Sequence, residues 1–215
     1  MNDLFDSLDD DQIDALQEIG NIGSGHAASA LAELLNRKID MSLPRFSLLA
    51  PNEFDKVQWT EKDPQEDTSI AVSICKTKGD LDSDIIVVLS EGTIKYLLSV
   101  IKKNNKDEEE DSSISNLGKL DKSTILEIGS ILSLHYLTAI NTFLNLKSFP
   151  ETPYLVIDKA ESVLNTLIST LEETVNKVML VECDIFTSDS LMKPIVIFAP
   201  HPNSVEKTIN AMFGI

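Results

Sequence analysis

Basic residues, cysteines and long apolar runs are all scarce in this chain, and each scarcity excludes a class of protein. Its 215 residues include 18 Lys and Arg against 35 Asp and Glu, a formal net charge of −17. An acidic surface repels phosphate backbones, so we expect no nucleic-acid partner. No apolar run approaches the roughly 18 residues that a membrane span needs, and the acidic N-terminus lacks the basic and apolar regions of a signal peptide. We therefore expect a cytoplasmic protein without membrane insertion.

Patterns typical of metal sites and disulfides are missing too. The two cysteines, Cys75 and Cys183, have no close metal-ligand spacing, so we interpret both as reduced strand residues. His26, His135 and His201 are far apart in the sequence and make no metal motif. We expect no metal site and no cofactor of the protein's own.

An internal repeat organises the rest of the chain. A shift of 109 residues aligns two pairs of segments without a gap: "EIGNI" at 18–22 with "EIGSI" at 127–131, and "DIIVVLS" at 84–90 with "KPIVIFA" at 193–199. The aligned features extend over most of each half. The sequence therefore predicts a single domain, 1–215, made of two homologous halves at about 1–103 and 117–215.

Each half has the same predicted order of elements: a long helix, a short extended segment, two antiparallel strands and a closing helix. The long helices are predicted at about 8–38 and 117–147, the first with its N-cap at Ser7. In the second half "ESVLNTLISTLEET" predicts an additional helix, where the first half has a predicted loop, "EFDKVQWTEKDPQEDT". Segment 104–116 is acidic and aperiodic, which predicts a solvated linker between the halves; a functional acidic arm is the alternative.

The first long helix contains "DALQEIGNIGSGHAASAL", residues 14–31, whose glycines raise the question of a phosphate-binding loop. Such a loop follows a strand and opens a helix, but nothing before this segment resembles a strand. At about 100° per residue, Gly20 and Gly23 fall on the apolar face. We therefore interpret both as packing positions in a continuous helix, where small residues let another backbone come close.

The opposite face of this helix carries Asp14, Glu18, Asn21 and Gly25. Glu18 and Asn21 are three residues apart, so their side chains are neighbours on the helix surface. The missing side chain at Gly25 would leave room for a partner. An acid and an amide without a nearby histidine or nucleophile make no catalytic triad, but they can position a water. A plain solvent-facing polar stripe is the alternative.

The spacing of these residues resembles the motif of the CheC/CheX/FliY family of chemotaxis phosphatases. That motif is Asp or Ser, three residues, Glu, two residues, Asn, twenty-two residues and Pro. Two sets of residues here have this spacing, the second with a serine in place of the asparagine: Asp14, Glu18, Asn21 and Pro44, and Ser123, Glu127, Ser130 and Pro153. Two tandem copies resemble the CheC type, which has two sites.

The resemblance implies an α+β fold of two pseudo-symmetric halves, with long helices packed on an antiparallel β-sheet. It also implies hydrolysis of the aspartyl phosphate of the phosphorylated response regulator CheY, with Mg²⁺ supplied by the regulator. Asn21 would align the attacking water and Glu18 would hold a cation of the regulator, supported by Asp14, Gly25 and Pro44. The alternative is a non-catalytic adaptor that binds the phosphorylated regulator or the deamidase CheD. We expect the chain to be a monomer.

The second copy of the motif departs from the family pattern. Ser130 stands where asparagine is expected, and a hydroxyl cannot copy the geometry of a carboxamide. We therefore expect the second site to be inactive or strongly weakened. Leu126, Leu134 and Leu137 surround its polar stripe, and Leu134 occupies the position of Gly25. We interpret this face as covered by the protein itself; docking of a partner on an apolar patch is the alternative.

Overall fold

The computed structural model describes residues 8–60, 68–105, 114–201 and 204. The helices in these ranges are α1 (Asp10–Leu35), α2 (Glu91–Asn105), α3 (Lys119–Leu144) and α4 (Ala160–Thr174). The strands are β1 (Asp40–Met41), β2 (Arg45–Leu49), β3 (Ser69–Gly79), β4 (Ser83–Ser90), β5 (Ser148–Pro150), β6 (Tyr154–Lys159), β7 (Val178–Glu182), β8 (Ile185–Phe186), β9 (Leu191–Met192) and β10 (Ile195–Pro200). The predicted closing helix of the second half, 202–213, lies outside the described residues except for Ser204.

Antiparallel pairing joins the strands of the main sheet in the order β2-β7-β10-β4-β3-β5, and β6 also pairs with β3. The order is symmetric about the β10–β4 pair. At the centre Val87 pairs with Val196, the residue 109 positions further along the chain, and Ile86 pairs with Ile197. The fold is therefore the expected mixture of helices and antiparallel sheet, with related segments on opposite sides of one axis.

The strand pair of the second half is more interrupted than the predicted hairpin. β7 ends at Glu182, and the chain bends before β8, which pairs with both β1 and β9 in a separate three-stranded sheet. The bend is held by Ser42, whose amide donates to the Asp184 carbonyl at 2.9 Å and whose hydroxyl accepts from the Asp184 amide at 3.1 Å. A hydrophobicity pattern alone does not reveal this side-chain bond.

The two long helices pack against each other and against one face of the main sheet. Their apolar sides contribute Leu16, Leu31, Ile128 and Leu132 to the larger core cluster, each at most 2% exposed. α3 is also long and apolar enough to cross a membrane by length and composition, but half of its apolar window is buried inside the protein. That burial is typical of a core helix.

The ends of the long helices differ from the prediction. α1 begins after Asp9, not Ser7: the Asp9 carboxylate accepts from the Gln12 amide at 2.9 Å, and the Gln12 side chain accepts from the Asp9 amide at 3.0 Å. This reciprocal capping box fixes the start of the helix. Asn36 and Asn145 adopt left-handed backbone conformations (φ 48° and 51°) and end α1 and α3 three residues earlier than predicted.

The other face of the sheet is covered by a second, smaller core. The predicted additional helix is present as α4, which buries Val163, Leu167 and Leu171. The predicted loop of the first half is partly wrong, because Pro51–Lys56 forms a 3₁₀ helix. Its Phe54 is 1% exposed, and the Phe54 carbonyl accepts a hydrogen bond from the Trp59 ring at 2.7 Å. Residues 61–67 of that loop lie outside the described ranges.

The linker between the two halves is shorter than the predicted segment 104–116. α2 continues to Asn105, and Ile114–Asn116 forms a second 3₁₀ helix before α3. Ile114 is completely buried in the larger core, so the end of the segment is anchored instead of solvated. Residues 106–113 lie outside the described residues.

Candidate functional site

The polar stripe of α1 lies on the outer surface of the helix. Asp14 and Glu18 are exposed, and Asn21 and Gly25 are partly exposed. The residues that share the opposite side are buried: Leu16, Ile19, Gly20, Gly23, Ser24, Ala27, Ala28, Leu31 and Leu35. The structure therefore brings the four predicted helix residues together on one accessible face.

Glu18 and Asn21 contact each other directly. The Asn21 Nδ2 donates to Glu18 Oε2 at 3.4 Å, a long hydrogen bond between two surface side chains. The amide has two donor hydrogens and an acceptor oxygen, so this contact leaves one donor and the acceptor for other groups. An amide oriented by its neighbouring carboxylate can both accept a hydrogen bond from a water and donate one to it.

The three glycines of this helix have different surroundings. A Cβ at Gly23 would lie 2.6 Å from Cδ1 of the Tyr136 ring, and one at Gly20 would contact Val181 at 3.5 Å. Both glycines are packing positions as predicted, but their neighbours are side chains and not another backbone, and only at Gly23 would a Cβ clash. A Cβ at Gly25 would have no neighbour within 4 Å among the described residues, so the helix surface next to Asn21 is open to an approaching molecule.

Pro44 begins the segment that leads into β2, after Leu43, which is 80% exposed. β2 pairs with β7, and its Phe46 lies against α1: a Cβ at Gly20 would be 4.0 Å from Phe46 Cδ2. Pro44 is half-buried. Pro44 is thus placed relative to α1 by the packing of β2, the strand that follows it, against that helix. The sequence spacing alone does not explain this placement.

The second copy of the motif has the same placement but different chemistry. Ser123 and Glu127 are exposed on α3, and Pro153 is half-buried just before β6. The Ser130 hydroxyl donates to the Leu126 carbonyl of its own helix at 2.6 Å. This is the back-bonding common to serines within helices, and it turns the hydroxyl away from the surface stripe.

Two of the leucines predicted to surround this second stripe, Leu134 and Leu137, differ from the prediction in the structure. Leu137 is 2% exposed and belongs to the core, so it does not border the stripe. Leu134 is 48% exposed, so the described residues do not cover this face as we expected. Its side chain stands where α1 has the open space beside Gly25.

Two contacts between the long helices are not predictable from the local sequence patterns. The rings of His26 and His135 meet edge to face with centroids 6.3 Å apart. Burial, and to a smaller extent the neighbouring His26, lowers the pKa of His135. The hydroxyls of Ser24 and Tyr136 are 2.6 Å apart in the core. The two histidines are themselves 109 residues apart in the chain, a signal that was available from the repeat.

Throughout the described ranges, no group of three or more histidine, cysteine, aspartate or glutamate side chains is arranged to hold a metal ion. Burial raises the pKa of the Cys183 thiol to about 11, which keeps it protonated and unreactive at neutral pH. The fold and the open stripe define a class of protein that carries an acid–amide pair on an accessible helix surface.

Comparison with known proteins agrees with this class. A model of the CheC-like family matches residues 12–48, the segment that includes the first copy of the motif. The chain is 29% identical over 213 residues to the CheY-P phosphatase CheC of Bacillus subtilis (strain 168), covering 97% of each chain. The chain is therefore similar to the CheC-like family, through the family model at the first copy of the motif and through this relative over almost its whole length.

Solved structures share the fold at low sequence identity. The crystal structure of Thermotoga maritima FliY matches with a TM-score of 0.70 and 15% identity, over 97% of this chain and 98% of that one. A chain of the CheX–CheY–BeF₃–Mg²⁺ complex of Borrelia burgdorferi matches with a TM-score of 0.53 and 14% identity, over 83% and 95%. At these identities the likeness concerns the fold alone.

Proposed function

We propose that this chain hydrolyses the aspartyl phosphate of a CheY-type response regulator, acting from the first copy of the motif. The observation that carries the proposal is the contact between Glu18 and Asn21 on an accessible helix face, beside open space at Gly25. The similarity to a CheY-P phosphatase over 97% of the chain supports the same activity.

The chemistry needs little from this protein. An acyl phosphate is already activated, and Mg²⁺ in the regulator would neutralise the charge that develops during transfer. What is missing is a water aligned with the phosphorus. Asn21 would align this water, because its carboxamide can accept a hydrogen bond from the water through oxygen and donate one through nitrogen. Orientation of this kind contributes much of the rate in intramolecular reactions, and no covalent intermediate on this chain is required.

Glu18 would hold the regulator. Its exposed carboxylate can pair with a cation of the partner, most simply a lysine close to the phosphorylated aspartate. Asp14, one turn earlier on the same face, adds negative charge to the docking surface. Because Glu18 also accepts a hydrogen bond from Asn21, docking and orientation of the amide would be coupled.

The second copy would contribute little hydrolysis. Ser130 is engaged with the backbone of its own helix, and the approach to it is narrowed by the half-exposed Leu134. A second candidate function follows from the same stripe. Glu127 remains exposed without an amide beside it, so α3 would bind the regulator and leave its phosphate intact, as an adaptor does.

We also propose that the protein acts as a cytoplasmic monomer and binds a CheD-type deamidase as a second partner. Sedimentation equilibrium would test the first statement, with a dimer at micromolar concentration contradicting it. Co-purification with a purified CheD would test the second, and separate elution of the two proteins on a sizing column would contradict it.

The activity is tested by phosphate release from Bacillus subtilis CheY phosphorylated with acetyl phosphate. We expect the wild-type chain to accelerate release and the Glu18→Ala/Asn21→Ala double variant to leave the spontaneous rate unchanged. Both substituted side chains lie on the surface, so folding should be preserved, which circular dichroism checks. Binding of the phosphorylated regulator without accelerated release would support the adaptor function and contradict hydrolysis.

A further inference from the structure

Tyr136 of α3 contacts α1 beneath the candidate catalytic pair. Its ring lies so close to Gly23 that a Cβ there would approach Cδ1 to 2.6 Å, and its hydroxyl is 2.6 Å from Ser24 Oγ. Tyr136 is 6% exposed and Ser24 is 3% exposed. The buried ring therefore fills the space left by the missing side chain of Gly23, which we call the notch, and one hydrogen bond joins its hydroxyl to Ser24.

This contact has no equivalent on the other side of the helix crossing. The 109-residue repeat relates Tyr136 to Ala27 and Ser24 to Ser133. Alanine has no hydroxyl, and within the described residues the buried Ser133 Oγ has no hydrogen-bond partner. The two halves thus differ at this point. Ser24 of α1, the helix with the complete motif, is hydrogen-bonded to Tyr136 of α3, whereas the repeat equivalents Ser133 and Ala27 make no such bond.

The position of the contact along α1 is informative. Gly23 and Ser24 are two and three residues after Asn21, which is less than one turn of helix, and they face inward where Asn21 faces outward. The ring, packed where a Cβ of residue 23 would lie, sets how closely the two helices approach, and the hydrogen bond to Ser24 restrains both the rotation of α1 about its axis and its translation along α3. Those two displacements are the ones that would move the Asn21 carboxamide.

We infer that Tyr136 is a positioning residue for the first site: the half with the incomplete motif supplies the side chain that holds Asn21 in register. The inference rests on the proposed hydrolysis. Misplacement by about 1 Å can cost about 100-fold in rate, so a shift of a few tenths of an ångström is expected to cost about 3–10-fold. A tyrosine that only stabilised the core would change the melting temperature and leave turnover intact.

Three variants and one control variant test this role. Tyr136→Phe keeps the ring in the notch and removes only the hydroxyl, Ser24→Ala removes the other partner, and the double variant removes both. We expect each to lower kcat by about 3–10-fold with KM changed by less than about twofold, because docking through Glu18 is untouched. The double variant should lose no more than either single one, since all three remove the same bond. Ser133→Ala, a buried hydroxyl without the bond, should retain the wild-type kcat.

A second measurement does not depend on activity. The side-chain amide resonance of Asn21, observed by ¹⁵N NMR in the full chain, should shift or broaden in Tyr136→Phe and stay unchanged in Ser133→Ala. The inference is overturned if Tyr136→Phe keeps both the wild-type kcat and the wild-type Asn21 resonance, whatever its melting temperature. An inactive wild-type chain would instead contradict the proposed function, and the resonance would then still report whether Tyr136 positions Asn21.

Discussion

The open space beside Gly25 makes Gly25→Leu a variant in which stability and activity should move in opposite directions. A Cβ at this position has no neighbour within 4 Å among the described residues, so we expect the surface to accept a larger side chain. Glycine inside a helix is about 0.8 kcal/mol less favourable than leucine. The variant should therefore melt about 2–3 °C above wild type, given about 2–4 °C per kcal/mol for a chain of this size.

Its activity should fall for a separate reason. A leucine next to Asn21 occupies the space through which the regulator would approach, and a partner held about 1 Å further away loses about 100-fold in rate. Phosphate release from phosphorylated CheY, measured alongside thermal unfolding, gives both quantities from one preparation. Leu134→Gly, at the matching position of α3, is the control: it should lower the melting temperature and leave release unchanged. A stabilised Gly25→Leu protein with the wild-type kcat/KM would refute the claim that this face docks the regulator.

Three further predictions concern the stability of the fold. Gly129→Ala should lower the melting temperature, because the new Cβ would overlap the Ser73 side chain and overpacking costs about 1–3 kcal/mol; an unchanged melting temperature would show that the two elements separate easily. Ile114→Ala should destabilise by about 2–5 kcal/mol in chemical unfolding, since the side chain is completely buried, and a loss below 1 kcal/mol would mean that the segment is not anchored. His135, whose pKa is lowered in the folded state by burial and by the charge of His26, binds its proton more readily in the unfolded chain. Stability should thus fall as pH drops below about 6.5, less so in His135→Asn; equal slopes in both proteins would contradict this.

Local sequence patterns predicted most of the helices and strands. The enrichment of strands in β-branched residues and the helical period of α1 and α3 are both visible in short stretches of sequence. The antiparallel strands and the buried glycines were therefore predictable. The capping box at Asp9 was missed because Ser7 offered a similar signal two residues earlier, and hydrogen bonding by Gln12 decided between them. The bend near Asp184 depends on Ser42, a residue more than a hundred positions away, which no local pattern can indicate.

The candidate site shows the same division between local and long-range information. The placement of Glu18 and Asn21 on one face follows from helix geometry alone. The contacts of Tyr136 with Gly23 and Ser24 require knowing that the two long helices cross at that point. The repeat relates His26 to His135, which do meet, but it relates Tyr136 to Ala27 and therefore gives no sign of the contact with Gly23 and Ser24.

The central claim, that hydrolysis depends on the amide of the first copy, is tested most directly by single-turnover phosphate release. Phosphorylated CheY of Bacillus subtilis would be mixed with a saturating excess of wild type, Asn21→Ala or Ser130→Ala, so that differences in affinity do not enter the rate. We expect Asn21→Ala to fall at least about 100-fold, to near the spontaneous rate, and Ser130→Ala to remain within about twofold of wild type. Equal rates for Asn21→Ala and wild type, or a large loss in Ser130→Ala, would contradict the account.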